Sequence, residues 1–256
     1  MRKSNGVQLG RLVVRAVAGS EQNPKPHFLE ALHLLAFYHA WSGRKHGQSL
    51  RQVASEIFEG CFRLGLANRL AAEFPSDWPL VRKKDAHPEN WLRVSSGRIT
   101  MLDFDASRPC PLLLDAVQLI DDYPLIAVNT SGWQERLEMV RCYLQQLEDL
   151  GFVHGTNTQT VERAYAALLT FRCAFGLRQQ SQAHHGALER DSMSALKAIR
   201  ARIEHYKSVL GFLTQYATSA TVREITATLL EDPLPRKQTK RKPIVGLDGQ
   251  LPEAFI

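Results

Sequence analysis

No run of about 18 uncharged apolar residues occurs in the chain, and a helix needs roughly that length to cross a bilayer. The opening residues, MRKSNGVQLGRLVVRAV, hold too few consecutive apolar positions for a secretory leader. The cytoplasm is therefore the expected compartment, with no membrane as partner. Cysteine is scarce and dispersed: Cys61, Cys110, Cys142 and Cys173 form no CxxC pair. That pattern points to reduced, mostly buried thiols and away from a structural zinc site or a disulfide framework. GxSxG, P-loop and GxGxxG motifs are all missing, which counts against a lipase-type hydrolase and the common nucleotide-binding folds. Aromatics make up only 8% and mostly fall on helix faces, so they read as core and not as a base-stacking platform.

Acidic residues are missing from one further stretch. PLPRKQTKRKP, 233–243, carries five basic residues and no acid, so all but one unit of the +6 net charge belongs to it. A proline-flanked basic run of this kind is a solvated tail, and nucleic acid is not an expected partner.

What is present is a chain of 256 residues, 44% hydrophobic, enough for one large core. Most of it has helical periodicity. FLEALHLLAFYHAW, 28–41, suits a largely buried helix, and Ser49 is the N-cap of a second that repeats through Leu50, Val53, Ile57, Cys61 and Leu64. Pro75, Asp77 and Pro79 then break the pattern. Residues 111–122 read as a short helix. From Trp133, the apolar positions Leu137, Val140, Leu144 and Leu147 recur by three and four up to a stop at Gly151. Further amphipathic helices are expected over 159–179, 190–216 and 221–230. QQSQAHHGALER between the first two reads as a polar interhelical loop, with His184 and His185 too far from acids to form a metal site.

One β element interrupts the helices. WLRV, 91–94, and ITMLDF, 99–104, flank Ser95, Ser96, Gly97 and Arg98, a turn-like group that predicts a hairpin. Antiparallel pairing brings Asn90 and Asp103 together at its open end, where Asp85 and His87 also arrive. An amide oxygen beside a carboxylate is a hard oxygen site suited to Mg²⁺. A further carboxylate nearby can orient a hydroxyl and accept its proton during phosphoryl transfer.

DAHPENWL, 85–92, followed by LDFD, 102–105, resembles the catalytic loop and metal-binding segment of the aminoglycoside phosphotransferase and choline kinase superfamily, approximately HGDxHxxN followed by D-x-D. The resemblance implies a mainly α (α+β) fold: a protein-kinase-like C-terminal lobe, helical, with a catalytic-loop β-hairpin. It implies Asp85 as the base, His87 as the supporting loop histidine, Asn90 and Asp103 as Mg²⁺ ligands, ATP as the donor and a small-molecule hydroxyl as the acceptor. Asp105 matches the second acid of D-x-D. Asp115 is similar to a buried aspartate that braces the catalytic loop, and His39 in LLAFYHA to a structural histidine. RLVVRAVAGSEQ, 11–22, looks like the strand and hinge between lobes, which would place the carbonyl of Arg15 and the N–H of Val17 against adenine. The expected organisation is then 1–26 hinge strand and small-lobe remnant, 27–232 large lobe, 233–256 basic tail.

Two departures stand out. The family's His-Gly before the base is Lys83 and Lys84 here, and Lys84, adjacent to the base, is expected to contact the transferred phosphate. Only about ten residues precede the expected hinge, so the glycine-rich loop and strand lysine of a small lobe have no place in this sequence. An upstream segment or a second chain would supply them, or the protein is a non-catalytic kinase-like interaction module.

Overall fold

The computed structural model of the protein describes residues 6–19, 23–43, 49–102, 108–121, 126–154, 156–189 and 192–231. The tail, Asp103 and Asp105 lie outside them. The described chain is mainly helical. It runs β1 (Gly6–Gln8), α1 (Leu9–Val17), α2 (Lys25–Ser42), α3 (Leu50–Phe58), α4 (Leu64–Ala71), β2 (Leu80–Arg82), β3 (Trp91–Val94), β4 (Ile99–Met101), β5 (Pro109–Pro111), α5 (Leu114–Asp121), α6 (Thr130–Asp149), α7 (Thr158–Glu189), α8 (Met193–Tyr216) and α9 (Ala220–Glu231). No helix among the described residues is long and apolar enough to cross a membrane.

The helices form where apolar spacing gives them a buried face. In α6, Trp133, Leu137, Val140, Tyr143, Leu144 and Leu147 are all buried, and Gly151 follows with φ +69°, a left-handed stop that a Cβ would strain. Ser49 caps α3 by accepting the N–H of Gln52. One hydrophobic cluster runs from Leu9 and Leu12 of α1 to Leu229 of α9. α5 sits at its centre, buried at every position from Leu114 to Asp121.

The β structure is a pair of nested ladders. β2 pairs antiparallel with β5, Arg82 opposite Pro109; inside that clamp β3 pairs with β4, Trp91 opposite Met101. β1 adds a third strand on β3. The hairpin turn closes through the N–H of Gly97 on the carbonyl of Val94, with Gly97 at φ +83°.

Three segments differ from the sequence-based expectation. Of the stretch expected as strand and hinge, 11–22, residues 11–17 belong to α1 and 20–22 lie outside the described residues: Leu9, Leu12 and Val13 fall on one helical face and are buried, and that face outweighs the β-preference of the local valines. Arg15 and Val17 stand in the last turn of this helix, with Ala18 N–H donating to Val14 O, so their backbone does not offer an extended hinge edge to adenine. The helix from Ser49 ends at Phe58 and restarts at Leu64 after a turn at Gly60, which leaves Leu64 exposed. The polar stretch 179–189 continues α7, because Gln179, Gln180 and Gln182 face a cleft while Ala187 packs against Leu196 and Ile199 of α8.

Candidate active site

The loop between β2 and the hairpin is built on two backbone amides. Lys83 N–H still completes the β2–β5 ladder on Arg108 O (3.0 Å). The next two N–H groups, of Lys84 and Asp85, both donate to the carboxylate of Asp115, at 2.6 and 3.2 Å. Asp115 stands in the first turn of α5 and is fully buried. The positive end of the helix dipole favours its charge there. His39 of α2 faces it through Nε2 at 3.2 Å, and His39 Nδ1 lies 2.6 Å from the hydroxyl of Tyr143. That hydroxyl donates in turn to Leu112 O. Burial acts to raise the Asp115 carboxyl, but the hydrogen bond and charge of His39, the charge of Lys83 and the N–H of Lys84 together hold it below the ordinary carboxylate value. The expected bracing role of Asp115 and the structural role of His39 are both seen in this geometry.

Asp85 is the one non-glycine residue with positive φ among the described residues, at +60°. Such a conformation costs on the order of 1 kcal/mol or more and persists only when surroundings over-determine it. Here they do. Asn90 Nδ2 donates to Asp85 O (2.9 Å), and the indole N–H of the buried Trp91 donates to Ala86 O (3.2 Å). His87 is extended, as a residue before proline prefers, and Pro88 opens a single 3₁₀ turn ending at Asn90.

The bend turns the Asp85 carboxylate onto three neighbours. Oδ1 accepts from Gln118 Nε2 (3.0 Å) and Lys83 Nζ (3.3 Å); Oδ2 lies 3.6 Å from His87 Nε2. Asp85 is 4% exposed. The lysine beside Asp85 is therefore Lys83. Lys84, expected to meet a transferred phosphate, is 1% exposed and its ammonium donates to the carbonyl of Leu102. Successive side chains of an extended segment point to opposite sides, and the spacing of sequence neighbours alone does not tell which side faces Asp85.

The expected Asn90–Asp103 juxtaposition lies outside the described residues, because Asp103 does. Leu102 N–H donates to Asn90 O (2.8 Å), so the residue directly before Asp103 is tied to Asn90. The Asn90 amide nitrogen is held by Asp85 O, which leaves its oxygen, a hard donor, as the atom available to a cation. Among the described residues no three His, Cys, Asp or Glu side chains are grouped to hold a metal.

Beside the loop opens a cleft of about 940 Å³, walled by α1, α7 and α8 and bordered by His87 and Gln118. Its floor is a feature sequence reading did not isolate. Asp115, Gln118 and Asp121 recur every three residues along α5 and so share one face, all buried. Asp115 holds the loop, Gln118 holds Asp85, and Asp121 stands between Arg172 Nε (3.7 Å) and His205 Nε2 (4.0 Å). Polar residues at this period inside the apolar run LLLDAVQLID were the available signal. Comparisons with protein-family models, with curated proteins and with solved structures found no match to this chain.

Proposed function

We propose that the loop from Lys83 to Asn90 is the phosphotransfer loop of a kinase-like large lobe, and that the protein transfers a phosphoryl group from ATP to a hydroxyl of a small molecule. The observation that carries this reading is the pre-organised carboxylate of Asp85, held on a left-handed bend by two amides on Asp115. Phosphoryl transfer asks the protein chiefly for positioning and charge stabilisation, and rigid presentation of one carboxylate is positioning of that kind. In the proposed step the acceptor oxygen bonds to the γ-phosphorus, the bond from that phosphorus to the β–γ bridging oxygen breaks, ADP leaves, and the hydroxyl proton passes to Asp85. His87 lies within reach to steady that carboxylate, and Lys83 offsets its charge. Asn90, through its amide oxygen, and Asp103 would hold Mg²⁺, which neutralises phosphate charge when bound. Adenine contact through Arg15 and Val17 forms no part of the proposal, and Lys83 takes the place of Lys84.

A second reading, a non-catalytic kinase-like interaction module, is favoured by one fact: Lys83 and Gln118 already occupy Oδ1 of a nearly buried Asp85. Mg²⁺-ATP separates the two. The native-host protein, with whatever copurifies, is expected to gain thermal stability from ATP with Mg²⁺ and not from ATP with EDTA. Asn90→Ala and Asp103→Ala lose that gain; Asp85→Asn keeps it and loses transfer. No Mg²⁺-dependent stabilisation by ATP would sink the catalytic reading.

A further inference from the structure

We infer that the cleft walled by α1, α7 and α8 over α5 binds a neutral polyhydroxy compound, a sugar or cyclitol. That this compound is the phosphoryl acceptor rests on the reading above; that the cleft binds it does not.

The floor presents two buried acceptors without donors. Gln118 Oε1 and Asp121 Oδ1 each lack a hydrogen-bond partner, on residues only 2% and 5% exposed. A buried acceptor left unmatched costs about 1–3 kcal/mol, so these atoms call for a ligand that donates. An anionic group set there would oppose acceptor to acceptor, which disfavours carboxylates and phosphates at this point. An amine would donate, but the walls argue against a cation. Among the described residues, Arg11, Arg172 and Arg202 line the cleft against Asp121 and Glu89, a charge balance of one positive unit before His87 and His205 are counted. Hydroxyl groups meet both demands, since each donates one hydrogen to the floor and accepts from the guanidinium and amide groups around it. The volume is in the range of small-molecule sites.

Gln118 also connects the cleft to the loop. Its amide nitrogen holds Asp85 while its oxygen is the unmatched acceptor, so a hydroxyl on that oxygen lies one side chain away from the Asp85 carboxylate. His87, 3.6 Å from the same carboxylate, borders the cleft too.

The test is saturation-transfer NMR on the full chain without nucleotide. D-glucose, D-ribose and myo-inositol serve as neutral probes, choline and kanamycin as cationic ones, and glucose 6-phosphate as an anionic one. At least one neutral probe is expected to bind, and Asp121→Asn to weaken it tenfold or more. Ala201→Trp, which adds bulk to the cleft at an exposed position of α8, is expected to abolish binding even if Asp121→Asn does not fold. Binding by only the charged probes, by no probe, or undiminished in Ala201→Trp would overturn the inference. A neutral probe that binds as expected yet accepts no phosphate from Mg²⁺-ATP would leave the site standing and remove the phosphotransfer reading instead.

Discussion

Asp115→Ala is the perturbation that most directly probes how the loop is held. The carboxylate accepts two backbone N–H groups and faces the His39 imidazole, all in a fully buried setting. Hydrogen bonds to a charged group contribute about 1.5–3 kcal/mol each, so three amount to about 4.5–9 kcal/mol gross. Burying the carboxylate itself costs several kcal/mol, which the alanine variant recovers. Removing one member of a buried charged cluster therefore nets a loss of about 3–5 kcal/mol. Against a total stability of about 5–15 kcal/mol this is large, and it lowers Tm by about 6–20 °C for a chain of this size. Urea unfolding followed by circular dichroism reads the same quantity. Asp115→Asn retains one acceptor and the volume, so it is expected to lose less. Acid supplies an independent arm. The folded carboxyl lies below its ordinary value of 3.8, so the unfolded chain takes up this proton first as pH falls. The stability it contributes is thus full above that value and is lost progressively below it. The gap between wild type and Asp115→Asn should narrow as pH falls below about 4. A loss under about 1 kcal/mol for Asp115→Ala, or a gap that closes above pH 5, would refute the bracing argument.

Two further substitutions test backbone geometry. Asp85→Gly and Asp85→Ala both delete the carboxylate, but only glycine is at ease at φ +60°, so Asp85→Gly is expected to be more stable than Asp85→Ala by about 1 kcal/mol in urea unfolding; equal stabilities would mean the bend is not strained. Gly132→Ala is expected to cost about 3 kcal/mol or more, because a Cβ there would clash with the carbonyl oxygen of Ala127, and Arg136 holds that carbonyl in place. A Tm within a degree or two of wild type would show that the segment before α6 shifts freely.

Local signals carried much of the fold. The three-and-four spacing in α6, the Ser49 cap and the Ser-Ser-Gly turn each act over a few residues, so they are visible without knowing what lies opposite. The misses share the opposite property. α1 competes with a strand of similar residues, and the choice depends on which partner accepts Leu9, Leu12 and Val13. The Gln-rich end of α7 looks like a loop because its polar face meets a cleft and its one buried alanine meets α8. Lys83 and Lys84 are adjacent and alike, and only the fold assigns one to Asp85 and the other to Leu102. By contrast the nearness of Asp85, His87 and Asn90 to one another is legible because a short loop between two clamped strands leaves them little freedom.

The polar stripe on α5 ties these observations together. A helix buried on all sides would be most stable if apolar throughout, since each buried polar group must recover its desolvation through hydrogen bonds. Asp115 does so fully, and Gln118 does so through its nitrogen. Going along the helix from the loop towards the cleft, satisfaction by the protein itself declines: Asp121 reaches Arg172 and His205 only at 3.7 and 4.0 Å, and its Oδ1, like Gln118 Oε1, has no hydrogen-bond partner. The unmatched end of the stripe is the end that borders the cleft. The gradient is what a site requires, rigid where it fixes the Asp85 bend and unmatched where a ligand is to complete it. It also separates the effects of substitution along one helix: changes at Asp115 should appear first in stability, and changes at Asp121 first in ligand binding.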